Sequence, residues 1–260
     1  MQNYINKLIA WWHLRNTYLH VAADIGPKRD THPVVILHGI ASSSQYALLY
    51  RDVLPKNRRI IFLDLLGYGE SPKIDRFDYS MAAHSTALLR TLQKLSITHA
   101  TVVGYSMGAL IAVYSGARSR RIKNVICCSM PLFSYEKSGH FWHKIIARLY
   151  DGISQKQSAA LRMTHLIGML PNRFKGFQLN EDTWPAFSSN MSNIISTYNP
   201  LNDVKKISSV SVIVGKLDPF VSVKATKCFA DDAGITDVTV VQTPLHTIDA
   251  TYMNVISKKL

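Results

Sequence analysis

A serine hydroxyl attacks a carbonyl at neutral pH only when a neighbouring base takes its proton and an acid holds that base in one tautomer. Three residues of this chain have the types for that task. Ser106 lies in Gly104-Tyr105-Ser106-Met107-Gly108, directly after the apolar run 100–103 and directly before the apolar helical run 109–114. A G-x-S-x-G pentad at a strand-to-helix turn forces the serine into a strained backbone and lifts its hydroxyl clear of the sheet. The two glycines remove side chains that would collide across such a turn. Asp218 closes Gly215-Lys216-Leu217-Asp218 after the run 210–214, and His246 follows the run 238–241 through Gln242-Thr243-Pro244-Leu245. Both fall just past the carboxyl end of a strand, where parallel sheets assemble their sites. The order serine, acid, histidine is one of the chain orders such a triad takes.

These features nominate Ser106 as nucleophile, His246 as base and Asp218 as the acid that orients it. An Asp before proline is also a common turn former, and a loop histidine is often a solvated surface group. Asp203 is the rival acid, and His84, His140, His143 and His165 are rival bases; none of them follows a core strand in the required order. Acyl transfer also needs N–H donors for the oxyanion that develops. The candidates are the main-chain N–H of Met107, after the nucleophile, and that of Ile40, in the loop after the strand 33–37. Gly39 lets that loop approach a substrate, and His38 is read as a brace for it rather than as a base. Asp64-Leu65-Leu66-Gly67-Tyr68-Gly69-Glu70-Ser71 matches neither G-x-G-x-x-G nor a Walker loop, so it is read as a tight structural turn.

The elements that must position these residues follow from the apolar runs. Continuous runs at 33–37, 60–63, 101–103, 125–128, 210–214 and 238–241 suit strands buried on both faces, and a strand or hairpin is expected at 15–23. Helical patterns lie between them, near 44–54, 80–95, 107–118, 222–232 and 247–258. The alternation predicts an α/β fold with a mostly parallel, doubly wound sheet. It breaks between Pro131 and Pro200, a stretch rich in Phe, Trp, Tyr and Met. The expected organisation is a core from 1–130 and 201–260 with a helical cap insertion at 131–200. Ile5, Leu8, Ile9 and Trp12 mark an amphipathic helix over 3–14, expected to dock on its own domain rather than on a membrane surface.

At 47% hydrophobic residues and without polar tracts, the 260-residue chain excludes disordered and fibrous classes. Thirty Lys and Arg against seventeen Asp and Glu give a formal charge of +13. The basic residues are scattered, no nucleic-acid signature accompanies them, and they are read as a solvated basic surface. Cys127, Cys128 and Cys228 form neither a disulfide framework nor a metal-ligand spacing, so no metal or other cofactor is expected. Residues 1–12 lack the features of a secretory signal, and no stretch approaches the roughly 18–20 apolar residues of a membrane span. A cytoplasmic protein is the expectation.

Taken together, Leu37-His38-Gly39, Asp64-x-x-Gly67-x-Gly69-x-Ser71, Gly104-Tyr105-Ser106-Met107-Gly108, Gly215-x-x-Asp218-Pro219 and His246 resemble the α/β-hydrolase superfamily over about residues 15–130 and 205–258. The resemblance implies Ser106, Asp218 and His246 as the triad and the N–H groups of Ile40 and Met107 as the oxyanion hole. It implies hydrolysis of a carboxylic ester or related acyl bond in a small substrate through an acyl-enzyme. Carbon–carbon bond hydrolysis, acyl transfer and a non-catalytic binding role occur on the same fold. Dehalogenases and epoxide hydrolases of the superfamily carry Asp at the nucleophile position, and Ser106 argues against both. A menaquinone-pathway lyase with a similar elbow has Arg two residues after its second glycine, where Leu110 stands here. The aromatic and Met residues of 131–200, Trp142 and Trp184 among them, are expected in part to face an apolar acyl pocket. Lys144, Arg148, Arg162 and Arg173 are expected in solvent.

Overall fold

The computed structural model describes residues 16–74, 77–135, 158, 178–243 and 246–260. Each apolar run forms a strand: β2 Val34–Leu37, β3 Ile60–Leu63, β4 Ala100–Tyr105, β5 Ile122–Cys128, β6 Ser209–Gly215 and β7 Val238–Val241, preceded by β1 Val21–Ile25. They make one seven-stranded sheet in the order β1-β3-β2-β4-β5-β6-β7. All neighbours are parallel except β1, which runs antiparallel to β3 at the edge. Of the strand or hairpin expected at 15–23, only the last three positions fall in a strand among the described residues, the single β1 at Val21–Ile25. Every residue of β2, β3 and β4 is buried, whereas β1 is half-buried throughout, because an edge strand has one flank in water. Its Asp24 lies at 2.9 Å from the guanidinium of Arg59, which precedes β3.

Helices cover both faces: α1 Ser44–Leu48, α2 Met81–Lys94, α3 Met107–Gly116, α4 Trp184–Asn190, α5 Leu201–Val204, α6 Val223–Ala233 and α7 Ala250–Lys259. Alternate residues of β2 divide the core. Val35 and Leu37 pack with Leu88 of α2, Ile111 of α3 and Phe229 of α6, while Val34 and Ile36 pack with Ala47 of α1 and with Tyr252 and Ile256 of α7. The helical pattern near 44–54 is split into α1 and a single 3-10 turn at Arg51–Val53. The chain leaves β2 for β3 on one side and returns to β4 on the other. That reversal makes the carboxyl ends of β2 and β4 the switch point, the place where open α/β sheets bind ligands.

Within 131–200, the described residues contain α4 and a π-helical turn at Met191–Ile195, and among them no strand. Phe187 and Tyr135 are core residues, and Trp184 packs against Phe187 at 5.8 Å, so this part of the stretch spends its aromatics on the body of the protein. The helix expected at 3–14, along with His140, Trp142, His143, Lys144, Arg148, Arg162, His165 and Arg173, lies outside the described residues. Among the described residues no helix is long and apolar enough to cross a membrane.

Candidate active site

Strand β4 passes directly into α3 with one residue between them. That residue, Ser106, has φ 51° and ψ −120°, a combination that side-chain-bearing residues rarely adopt. The strain is held from three sides. The Ser106 N–H donates to Cys128 O at 2.8 Å, and the Ser106 carbonyl accepts from Ala109 N–H at 2.9 Å. A Cβ on Gly104 would fall 2.5 Å from Ala109 Cα, and one on Gly108 would fall 2.5 Å from the His38 carbonyl oxygen. Backbone sits opposite both glycines, so nothing flexible can yield. We expect Gly104→Ala to destabilise the protein by about 1–3 kcal/mol in urea titration. Unchanged stability would contradict this account of the elbow.

Asp218 follows β6, and its carboxylate meets donors on both oxygens. Oδ1 accepts from the Phe220 and Val221 N–H groups at 2.9 and 3.1 Å. Oδ2 accepts from Ser129 Oγ at 2.7 Å and from His246 Nδ1 at 2.8 Å. Burial alone pushes this carboxyl up, but the His246 ring and the surrounding donors outweigh it and hold Asp218 below the usual carboxylate range. An ionised carboxylate only accepts, so Nδ1 of His246 carries a proton and neutral His246 presents the lone pair of Nε2. That lone pair faces Ser106 Oγ at 2.9 Å. The imidazole is held between Tyr105 and Phe220, with ring centroids at 5.3 and 5.1 Å. The three residues nominated from sequence are therefore brought into one hydrogen-bonded line.

The two rivals among the described residues, Asp203 and His84, are occupied elsewhere. Asp203 takes Arg118 at 2.6 Å, Lys206 at 3.0 Å and the Tyr198 hydroxyl at 2.8 Å. His84 is fully buried against Asn190, and burial drives its pKa down to about 3.

The loop after β2 lies against the nucleophile, since a Cβ on Gly39 would stand 3.2 Å from Ser106 Cβ. His38 braces it, as expected. Its Nε2 accepts from Leu65 N–H at 2.9 Å, so Nδ1 is protonated and donates to Gly39 O at 2.7 Å, and burial keeps the ring neutral. In a trans peptide the C=O and the following N–H point in opposite directions, so clamping Gly39 O orients Ile40 N–H. On the far side, Ala41 N–H meets the Tyr68 hydroxyl, which donates to Asn190 Oδ1 at 3.0 Å, and Ala41 O accepts from Gln178 N–H at 2.5 Å. Met107 is the first residue of α3, where a helix leaves its N–H groups unpaired.

The Asp64 stretch is the structural turn expected of it. Asp64 accepts from Ser44 N–H at 2.7 Å and Glu70 N–H at 3.0 Å, and Gly69, at φ 51°, lets the chain fold over that carboxylate. A negative side chain thus occupies the place where a phosphate loop would present donors.

Comparison with known proteins fits this geometry. The family model for the alpha/beta hydrolase fold matches residues 32–244. The chain belongs to the α/β hydrolase fold family. Among relatives of this α/β hydrolase is the probable lysophospholipase BODYGUARD 4 of Arabidopsis thaliana, 27% identical over 52% of this chain and 35% of that protein. Another is a proline iminopeptidase of Heyndrickxia coagulans, 32% identical over 40% of this chain and 38% of that protein. The matches thus span little more than a third of either relative's length. An esterase from Exiguobacterium antarcticum superposes with a TM-score of 0.70 at 18% identity, covering 94% of this chain and 97% of that one, a likeness of fold.

Behind Asp218, two residues escaped the sequence reading: Ser129, after β5, and Tyr252, on α7. Neither lies in a motif, and each reaches the site only through tertiary contact.

Proposed function

We propose that this α/β hydrolase is a serine hydrolase that cleaves a carboxylic ester or related acyl bond of a small, largely apolar substrate. The observation that carries the reading is the line from Ser106 Oγ through His246 to Asp218, with contacts of 2.9 and 2.8 Å. Ser106 Oγ bonds to the carbonyl carbon while its proton passes to His246 Nε2. The carbonyl oxygen becomes an oxyanion, received by the N–H groups of Ile40 and Met107. On collapse, the alcohol leaves with the proton from His246, and Ser106 is acylated. Water then adds to the acyl-enzyme with His246 again as base, releasing the acid and restoring Ser106.

Residues 131–200 are proposed as the cap that shapes the acyl pocket. The contact of Gln178 with Ala41 supports this, because it brings the stretch onto the loop beside Ser106. A panel of p-nitrophenyl esters of increasing acyl length tests the reading. Each methylene that enters an apolar pocket contributes about 0.8 kcal/mol, so kcat/KM should rise roughly fourfold per methylene until the pocket fills. A fluorophosphonate should label Ser106. An optimum at acetyl would sink the apolar pocket, and labelling elsewhere would sink the nucleophile assignment.

A further inference from the structure

Behind the carboxylate that orients His246 lies a pair of hydroxyls that the mechanism above does not use. Ser129 Oγ stands 2.7 Å from Asp218 Oδ2 and 2.5 Å from the Tyr252 hydroxyl, and both residues are fully buried. Chemistry fixes the direction of these bonds. Ionised Asp218 can only accept, so the one proton of Ser129 goes to Oδ2, and Tyr252 must donate to Ser129. The reverse arrangement would set a lone pair of Ser129 against the carboxylate.

The backbone is shaped for this contact. Ser129 has φ 43°, a left-handed conformation that is strained for serine, and its N–H donates to Ile213 O at 2.8 Å. The preceding residue, Cys128, takes the Ser106 N–H, so two consecutive residues at the end of β5 seat the nucleophile and the acid. Asp249 caps α7 through the Thr251 and Tyr252 N–H groups and thereby sets Tyr252. A Cβ on Gly215 would come 2.7 Å from Thr243 Cγ2, 3.2 Å from the Tyr252 hydroxyl and 3.3 Å from Asp218 Cβ. The glycine of Gly215-x-x-Asp218 thus lies where Thr243, Tyr252 and Asp218 converge.

We propose that Ser129 and Tyr252 are positioning residues whose hydroxyl relay shares Asp218 Oδ2 with His246 and so sets how strongly the carboxylate holds the imidazole. The proposal rests on the Ser106–His246–Asp218 reading. Each donor on Oδ2 disperses its charge, and a hydrogen bond to a charged group is among the stronger ones. Removing the Ser129 donor concentrates that charge on the His246 bond. The other titratable groups facing this site are Tyr105, Cys128, Tyr46 and Asp249. Burial pushes Tyr105, Cys128 and Tyr46 upward, so they stay neutral in the range where histidine titrates.

The test uses the full chain with Ser129→Ala, Ser129→Gly and Tyr252→Phe. Glycine suits the left-handed backbone and alanine does not, so an effect common to both belongs to the lost hydroxyl. The first readout is the low-field proton resonance of His246 Nδ1–H in the protonated enzyme, assigned by its loss in Asp218→Asn. The second is the acid limb of kcat/KM. Both Ser129 variants should move the resonance further downfield and the limb up by about half a pH unit, with KM little changed. Tyr252→Phe should act in the same direction and less. A resonance that stays in place in all three variants overturns the relay. Its absence from the parent protein overturns the triad reading, and the relay with it.

Discussion

Ser106→Ala is expected to lower kcat by about 10³-fold or more while leaving the fold intact. The two halves of that expectation have separate physical causes. Activity goes because Oγ is the atom that bonds to the carbonyl, and no other hydroxyl stands at 2.9 Å from His246 Nε2 among the described residues. The fold stays because the φ of 51° at this position is imposed by β4, α3 and the two flanking glycines, and alanine is no larger than serine. The hydrogen bond lost to His246 is worth about 1 kcal/mol, an effect that chemical denaturation can resolve. Fluorophosphonate labelling should vanish with activity. A variant that folds and still turns over substrate within tenfold of the parent would show that Ser106 is not the nucleophile.

The framework of this site was legible because its determinants are local. Val34 to Leu37 and Ile60 to Leu63 are buried on both faces, so their sequences are unbroken apolar runs. The Gly104–Gly108 pentad is a steric solution confined to five residues, and Asp218 and His246 could be found by asking which acid and which histidine follow strand ends, in that order, after the serine. His38 was readable as a brace because it directly follows a buried strand. The support of the site was not legible. Ser129 meets Asp218 across 89 positions, Tyr252 meets Ser129 across 123, and Tyr68 meets Asn190 across 122. A lone hydroxyl in an apolar stretch has no spacing that announces its partner. Once an anionic Asp218 is placed in a buried site, however, physical chemistry demands donors around it, and Ser129 is one of them.

Asp218→Asn should reduce kcat by about 10⁴-fold, a loss known for the same change in another serine triad, with substrate binding largely retained. The site explains why so small a change is so costly. The parent carboxylate receives four donors, from Phe220, Val221, Ser129 and His246. The two backbone N–H groups cannot turn away, so the amide oxygen of an asparagine must face them. Its NH2 then faces Ser129 and His246. Ser129 can rotate its proton toward Tyr252, but His246 can accept at Nδ1 only by moving its proton to Nε2. The N–H at Nε2 then points at Ser106 and cannot take its proton. The pH dependence of stability supplies an independent check. Asp218 is held below its ordinary value when folded, so its contribution is fully present above the unfolded value of about 3.9 and is lost as pH falls through the folded one. The parent should therefore lose stability more steeply than the asparagine variant on acidification below about pH 4. Equal slopes would mean that Asp218 is not the held carboxylate described here. An asparagine variant with kcat within tenfold of the parent would mean that His246 does not depend on it.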